Sequence, residues 1–211
     1  MNDSPAVQRV AVALFAGFTV LDVYGPVQAF ASCRLQTADG GFRRLYEICS
    51  MAERPGVVNS GEGPASYAEH SFADAPDYDI LLIPGGFGTR EAVNNTGFLA
   101  QLSTACERAR VIATVCTGSA LLARTGRLDG RPATSNKIAW NWVIQQGPRV
   151  HWIRQARWVD DGTIITSSGV SAGIDMTLSL IARLHSLDMA RTSARNMEYR
   201  WHEEASHDPF A

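Results

Sequence analysis

The alternation of short apolar runs with segments of helical spacing constrains the fold of this chain most strongly. Residues 8–15, 78–83 and 111–115 are apolar runs of the length and composition typical of strands covered on both faces. Segments with helical spacing of apolar residues follow them, at 20–30, 98–110 and from 120 onward. Strands that alternate with helices predict parallel pairing through right-handed crossovers. The chain is therefore predicted to be an α/β protein with a mostly parallel central sheet and helices on both faces.

Other segments extend this pattern. Residues 45–52 predict a strand after the Gly40-Gly41 break, and residues 55–66 predict loop with at most short strands. Residues 150–159 and 163–167 predict a hairpin closed by the Asp-Asp-Gly turn at 160–162. Two helices are expected at 171–185 and 187–201. The arginines of the second, Arg191, Arg195 and Arg200, are most simply a solvated face.

Composition limits the classes of function. The 211 residues predict one domain over 1–211, and a net charge of −2 disfavours nucleic acid as a partner. No apolar stretch approaches a membrane span and no leader pattern opens the sequence, so we expect a cytoplasmic protein without membrane contact. The four cysteines form no Cys-x-x-Cys pair, which indicates neither a disulfide framework nor a structural metal. We expect no metal and no cofactor.

Cys116 is the first candidate for chemistry. It lies on the predicted turn between the 111–115 strand and the following helix, with Gly118 two residues beyond. Small residues around such a turn are typical of a nucleophile elbow. Backbone N–H groups at a helix start would lower the pKa of the thiol and favour the thiolate. The alternative, a small buried cysteine that ends a core strand, is equally compatible with the local pattern.

Two other strand ends would reach the same edge of the sheet. The Gly85-Gly86 turn has no dinucleotide fingerprint and no P-loop lysine, so it either donates backbone N–H groups to a substrate or is a plain tight turn. Asp22 either interacts with its own helix start or points into an apolar site, where burial and a neighbouring thiolate would raise its pKa. None of the five histidines is adjacent to Cys116, so no histidine is assigned as its base.

Four motifs in order resemble the ThiJ/PfpI family of the class I glutamine amidotransferase-like superfamily, and within it the isonitrile hydratase branch. They are Leu-Asp-Val-Tyr-Gly-Pro at 21–26, Ile-Pro-Gly-Gly at 83–86, Val-Cys-Thr-Gly-Ser at 115–119 and Ser-Ala-Gly-Ile-Asp at 171–175. The resemblance implies a flavodoxin-like three-layer sandwich and a homodimer. It also implies Cys116 as nucleophile, Asp22 as its acidic partner, and backbone N–H groups of Gly86 and Thr117 as the oxyanion site beside Gly85.

Two positions depart from the family pattern. Thr117 stands where peptidase-like members carry histidine, which disfavours proteolysis. Asn136 stands where hydratases and deglycase-like members carry histidine, which leaves the substrate open. Related sequences also occur as the sensing half of transcription regulators. Because only about ten residues follow the last predicted helix, we expect no DNA-binding module here.

Together with this resemblance, the candidate residues favour hydration of a small electrophile, an isonitrile converted to an N-substituted formamide through a Cys116 thioimidate. Two alternatives stay open. One is glyoxalase-like or deglycase-like action on reactive aldehydes such as methylglyoxal. The other is a non-catalytic redox or stress sensor in which Cys116 is oxidised reversibly.

Overall fold

A computed structural model describes residues 6–211 of the chain. Its strands are β1 (Gln8–Ala13), β2 (Arg34–Gln36), β3 (Phe42–Arg44), β4 (Tyr46–Ala52), β5 (Gly56–Asn59), β6 (Ala65–Ala68), β7 (His70–Ser71), β8 (Ile80–Ile83), β9 (Val111–Thr114), β10 (Pro132–Ala133), β11 (His151–Trp152), β12 (Trp158–Asp160) and β13 (Ile164–Ser167). Its helices are α1 (Val20–Ser32), α2 (Thr89–Ala92), α3 (Thr96–Arg108), α4 (Gly118–Arg124), α5 (Trp140–Gln146), α6 (Ala172–Leu184) and α7 (Leu187–Asn196).

The main sheet has seven strands in the order β12-β13-β9-β8-β1-β4-β7. All neighbours pair in parallel except β12 and β13, which form an antiparallel hairpin. The central strands β8 and β9 are buried along their whole length, as the continuous apolar runs predicted. The prediction of a mostly parallel sheet flanked by helices is confirmed.

The helices form two packed groups around this sheet. α1, α6 and α7 pack against one another, and α4 packs against α2, α3 and α5. Between the groups, one continuous apolar core is built from the strands and the inner faces of the helices. Within residues 6–211, no helix combines the length and the apolar content needed to cross a bilayer.

Several predicted boundaries differ from the observed ones. The predicted strand at 150–159 is split, because β11 leaves the main sheet to pair with β10 in a separate two-stranded sheet. The last helix ends at Asn196 rather than 201, and Glu198 beyond it has a left-handed backbone, with φ 50°. The helix α5 was not predicted, and only a chain break at Gly40-Gly41 was predicted where β2 and β3 form a hairpin. The hairpin turn after Asp160 is confirmed.

The parallel register brings four strand ends to one edge of the sheet. Leu82 of β8 lies beside Val12 of β1 and Ala113 of β9, and Thr114 lies beside Thr166 of β13. The segments that follow β1, β8, β9 and β13 therefore meet at one edge, where sites form in open α/β sheets.

Candidate active site

Cys116 follows β9 in a strained backbone conformation, with φ 57°. A side chain other than glycine rarely adopts this left-handed region unless its surroundings hold it there. Here the Cys116 N–H donates to the carbonyl of Ser168 at 3.1 Å, and the Cys116 carbonyl accepts from Ser135 Oγ at 2.8 Å. The side chain is 5% exposed and lines a cavity. These features fit an elbow that presents a sulfur to a cavity, rather than a cysteine sealed in the core.

Gly118 lies where the elbow has no room for a side chain, as the sequence predicted for a small residue at this turn. A Cβ at this position would lie 2.4 Å from the carbonyl oxygen of Ile83 and 2.7 Å from that of Pro84. The Gly118 N–H donates to the carbonyl of Val115 at 2.9 Å, which closes the turn from strand to helix. Glycine therefore allows β9 and α4 to meet tightly against the end of β8.

Asp22 lies in the first turn of α1 but does not cap it. The capping position is Thr19, without a side-chain cap, and Asp22 itself is fully buried. Its Oδ2 accepts the Gly85 N–H at 2.9 Å. Its Oδ1 is buried and accepts no hydrogen bond of good geometry within residues 6–211. The Cys116 thiol nevertheless lies close enough to lower the pKa of this carboxyl as a hydrogen-bonding neighbour. The structure thus places Asp22 beside the sulfur, with one oxygen held and the other free to carry a proton.

Burial raises the pKa of Asp22 to about 7, because a desolvated carboxylate is unfavourable. The Gly85 N–H and the Cys116 thiol oppose this shift, and the negative charge of Glu62 adds to it. The direction agrees with the expectation for an Asp22 that points inward. A carboxyl with this pKa can act as acid or as base near neutral pH.

The pKa of Cys116 corrects one sequence-based expectation. We predicted that the helix start lowers it, but burial, with the neighbouring Asp22 charge, raises it to about 12. The physical reason is that α4 has only seven residues and little dipole, whereas the sulfur is almost completely desolvated. The resting sulfur is therefore a thiol. Because each of the two groups affects the pKa of the other, Cys116 and Asp22 titrate as a pair.

Three groups stabilise negative charge on this sulfur. The backbone N–H groups of Val170 and Thr117 and the side chain of Asn136 act as hydrogen-bond partners that lower the thiol pKa, although less than burial raises it. Val170 has a left-handed backbone, with φ 37°, which is costly for a β-branched residue. Sequence reasoning missed Val170, because a backbone N–H carries no residue-type signature.

The Gly85-Gly86 turn is specified by close packing. A Cβ on Gly85 would lie 2.5 Å from the Thr117 nitrogen and 2.9 Å from Asp22 Oδ2. The Gly86 N–H, expected in the oxyanion site, instead donates to Thr117 Oγ1 at 3.0 Å, and Thr89 Oγ1 lies 3.2 Å from the same hydroxyl. The Gly86 amide thus fixes the Thr117 side chain, and the N–H groups that face the sulfur are those of Thr117 and Val170.

The cavity in front of Cys116 has a volume of about 460 Å³ and a mostly apolar wall. Leu21, Phe87 and Ile138 stand at its mouth as exposed apolar side chains, and Glu62 and Arg90 are its charged lining residues. No histidine lines it within the part of the chain that the structure describes. Over the same residues, no group of three or more His, Cys, Asp or Glu side chains is placed to share a metal ion.

A buried ionic cluster supports the loop that carries Asn136. Arg157 donates to Asp175 Oδ2 at 2.8 and 2.6 Å and lies 3.7 Å from Asp208. The Lys137 ammonium donates to Thr134 Oγ1 and the Ala156 carbonyl, each at 2.8 Å, and lies 3.8 Å from Asp208. The end of the chain is thereby bound against the residues that flank Asn136.

The sequence pattern of the DJ-1/PfpI family matches residues 8–183. The chain belongs to the DJ-1/PfpI family. Its relatives include the isonitrile hydratase of Pseudomonas putida, 31% identical over 142 residues, which are 67% of this chain and 61% of that protein. The HTH-type transcriptional regulator CdhR of Pseudomonas aeruginosa is 30% identical over 178 residues, 84% of this chain and 51% of the regulator. The chain thus spans between about half and three fifths of these two relatives.

Solved structures of DJ-1/PfpI proteins share this fold. A ThiJ/PfpI family protein from Pseudomonas syringae superposes with a TM-score of 0.81 at 31% identity, over 94% of this chain and 78% of the other. DJ-1β of Drosophila melanogaster superposes with a TM-score of 0.75 at 17% identity, over 92% of this chain and all of the other. The second likeness concerns the fold alone. Among relatives, the family fold accompanies both an enzyme and regulators.

Proposed function

We propose that this DJ-1/PfpI protein hydrates isonitriles to N-substituted formamides, with Cys116 as nucleophile and Asp22 as proton carrier. The observation that carries the proposal is a thiol that lines an apolar cavity and has behind it a buried carboxyl whose pKa is raised to about 7. An isonitrile group is small and has no net charge, its hydrocarbon body suits an apolar wall, and its terminal carbon accepts a thiolate. The 31% identity with an isonitrile hydratase supports the same choice.

In the first half of the reaction, the thiol proton moves to Asp22 as the sulfur bonds to the terminal carbon. The N–H groups of Thr117 and Val170, with Asn136, stabilise the negative charge on the sulfur. Asp22 then returns the proton to that carbon, which gives a thioimidate, R–N=CH–S–Cys116. Water adds to this carbon in the second half, and release of the thiol gives R–NH–CHO. The net change is addition of one water molecule.

Turnover of an aryl isonitrile tests the proposal, with formamide measured by chromatography. We expect Cys116→Ala to abolish formamide formation, because no other described cysteine lines the cavity. Cys49→Ala is the matched control, since Cys49 is a free cysteine on β4 outside this cavity, and it should turn over at the wild-type rate. Formamide formation that persists in Cys116→Ala would refute the nucleophile assignment.

The pH dependence of kcat/KM gives a second test. The reactive pair needs Asp22 without its proton before the thiol proton is transferred, so kcat/KM should rise with pH and level off above about 7. The rise should be absent in Asp22→Asn, whose activity should be at background. A profile that continues to rise to pH 10 would instead indicate direct ionisation of the thiol without Asp22.

The two alternative functions have less support. Conversion of methylglyoxal to lactate adds one water molecule and needs a group that moves a proton between carbons, and no histidine lines the cavity in residues 6–211. Reversible oxidation favours an exposed thiolate, whereas the pKa of Cys116 is raised and its side chain is buried. Lactate production from methylglyoxal would favour the first alternative. Selective oxidation of Cys116, in a protein that hydrates no isonitrile, would favour the second.

The homodimer implied by the family resemblance is also a proposal. In its support, Ile138 is 99% exposed and Phe87 is 78% exposed at the mouth of the cavity, and apolar surface of this kind marks interaction sites. Size-exclusion chromatography with light scattering should give twice the 22.9 kDa chain mass. A monomer at all accessible concentrations would contradict it.

A further inference from the structure

Arg90 is a charged group in the cavity that the proposed reaction does not use. It lies on α2, immediately after the glycine turn, and lines the same cavity as Cys116. Its guanidinium carbon lies 4.8 Å from the ring centre of Phe87 and 4.6 Å from that of Trp142. These two ring contacts restrict the position of the guanidinium by cation–π attraction.

The guanidinium has no anionic partner within residues 6–211. Arg90 forms neither a salt bridge nor a side-chain hydrogen bond in this part of the chain, unlike Arg157, which pairs with Asp175, and Arg191, which pairs with Glu203. A guanidinium has five N–H donors, and ring contacts satisfy none of them. A carboxylate accepts two of these donors side by side, which is the strongest neutralising contact open to the group.

The described lining of the cavity carries two charged side chains of opposite sign, Glu62 and Arg90. Glu62 lies near Asp22, close enough for its charge to affect that carboxyl, and it accepts the Val20 N–H at 3.0 Å. This wall therefore repels a negative group, while Arg90 attracts one. A molecule with an anionic end and a reactive carbon at the other end would be turned with the carbon away from Arg90.

We infer that Arg90 binds a carboxylate on the small molecule that reacts at Cys116, so that the preferred substrates are isonitriles with a carboxylate on an apolar body. This inference rests on the proposed function for the reactive group, but the binding of the carboxylate is independent of the reaction. Arg90 is then the residue that determines specificity, since the rest of the cavity wall is mostly apolar.

Paired substrates test the inference by kinetics. In the wild type, 4-isocyanobenzoate should have a lower KM than phenyl isonitrile, which has the same ring without the carboxylate. In Arg90→Gln, kcat/KM for 4-isocyanobenzoate should fall by about tenfold or more, as expected for loss of a hydrogen-bonded charge, while that for phenyl isonitrile stays within about twofold. Arg90→Lys should recover part of the loss, because it keeps the charge but not the paired donors. Arg54→Gln is the control, an exposed arginine outside this cavity.

A binding measurement separates failure of this inference from failure of the proposed reaction. Benzoate is titrated by calorimetry into Cys116→Ala and into the double variant that also carries Arg90→Gln. Binding that needs Arg90, in a protein that hydrates neither isonitrile, would support the carboxylate site and refute the reaction. An equal fall of both substrates in Arg90→Gln, or benzoate binding that is absent or indifferent to Arg90, would overturn the inference. Benzoate binding that is absent or independent of Arg90 would mean that Arg90 contacts the partner subunit of a dimer or has only a structural role.

Discussion

The buried Asp22 carboxyl should make the stability of this protein fall as pH rises. Its pKa is raised from 3.8 to about 7 in the folded chain, so the folded state binds a proton that the unfolded state releases. Below the pKa that the group has in the unfolded chain, it costs the folded state no stability. Above that pH the loss of unfolding free energy grows until the pH passes the pKa in the folded chain. Asp22→Asn keeps a neutral amide at the same position, with an oxygen that can still accept the Gly85 N–H.

The size of the effect follows from the shift. About three pKa units correspond to about 4 kcal/mol, at about 1.4 kcal/mol per unit. Somewhat less than half of this penalty is present at pH 5, and nearly all of it at pH 8. Asp22→Asn should therefore gain about 2 to 3 kcal/mol in unfolding free energy relative to the wild type when the pH is raised from 5 to 8.

Urea denaturation at pH 5 and pH 8 measures this difference directly. The control is Asp74→Asn, which changes an exposed carboxylate and should follow the wild type at both pH values. If the unfolding free energies of Asp22→Asn and the wild type run parallel between pH 5 and pH 8, the carboxyl titrates normally. The proton-carrier role assigned to Asp22 would then lose its basis.

Two substitutions test the packing around the site. Gly85→Ala should abolish the proposed isonitrile turnover and lower the melting temperature, because the added Cβ would lie 2.5 Å from the Thr117 nitrogen. Wild-type values of kcat and melting temperature would show that this turn yields easily. Arg157→Met should lower the unfolding free energy by about 3 to 5 kcal/mol, because it leaves the buried Asp175 without its cation. The control is Arg9→Met, which removes an exposed pair with Glu47 and should change the unfolding free energy by less than about 1 kcal/mol. Urea denaturation measures both variants. Similar losses for the two would contradict the importance of the buried cluster.

The elements around the site were predictable because their sequences are locally unambiguous. The apolar runs that became β1, β8 and β9 fix both the strand type and the parallel order, and this order brings Asp22, Gly85 and Cys116 to one edge. α5 was missed because Trp140–Gln146 mixes aromatic and polar residues without clear helical spacing. The end of α7 was misplaced because a long-range contact decides it: Tyr199 leaves the helical course and its hydroxyl donates to Asp175 at 3.0 Å.

The site itself was predictable in its residues and less so in its electrostatics. Sequence pattern locates a thiol at a helix start, but only the fold shows that it is 5% exposed, and desolvation outweighs the short helix in setting its pKa. The same limit applies to Val170, which acts through its backbone, and to Gly86, whose N–H is directed to Thr117 Oγ1 rather than to the cavity. Chemistry carried by side-chain type can be read from sequence, and chemistry carried by backbone direction or burial cannot.

The ionic cluster around Arg157 joins distant parts of the chain into one cooperative unit. The Asp175 carboxylate accepts hydrogen bonds from Arg157, the Tyr199 hydroxyl and the His202 N–H. Asp208 lies near Lys137, which is the neighbour of Asn136 in the chain. Residues 199–208 and the loop at 134–137 should accordingly exchange their amide hydrogens as a single opening event. Proteolytic clipping ahead of Asp208 would then loosen Asn136, and its effect would reach the reactive sulfur although the cut lies more than ninety residues away along the chain.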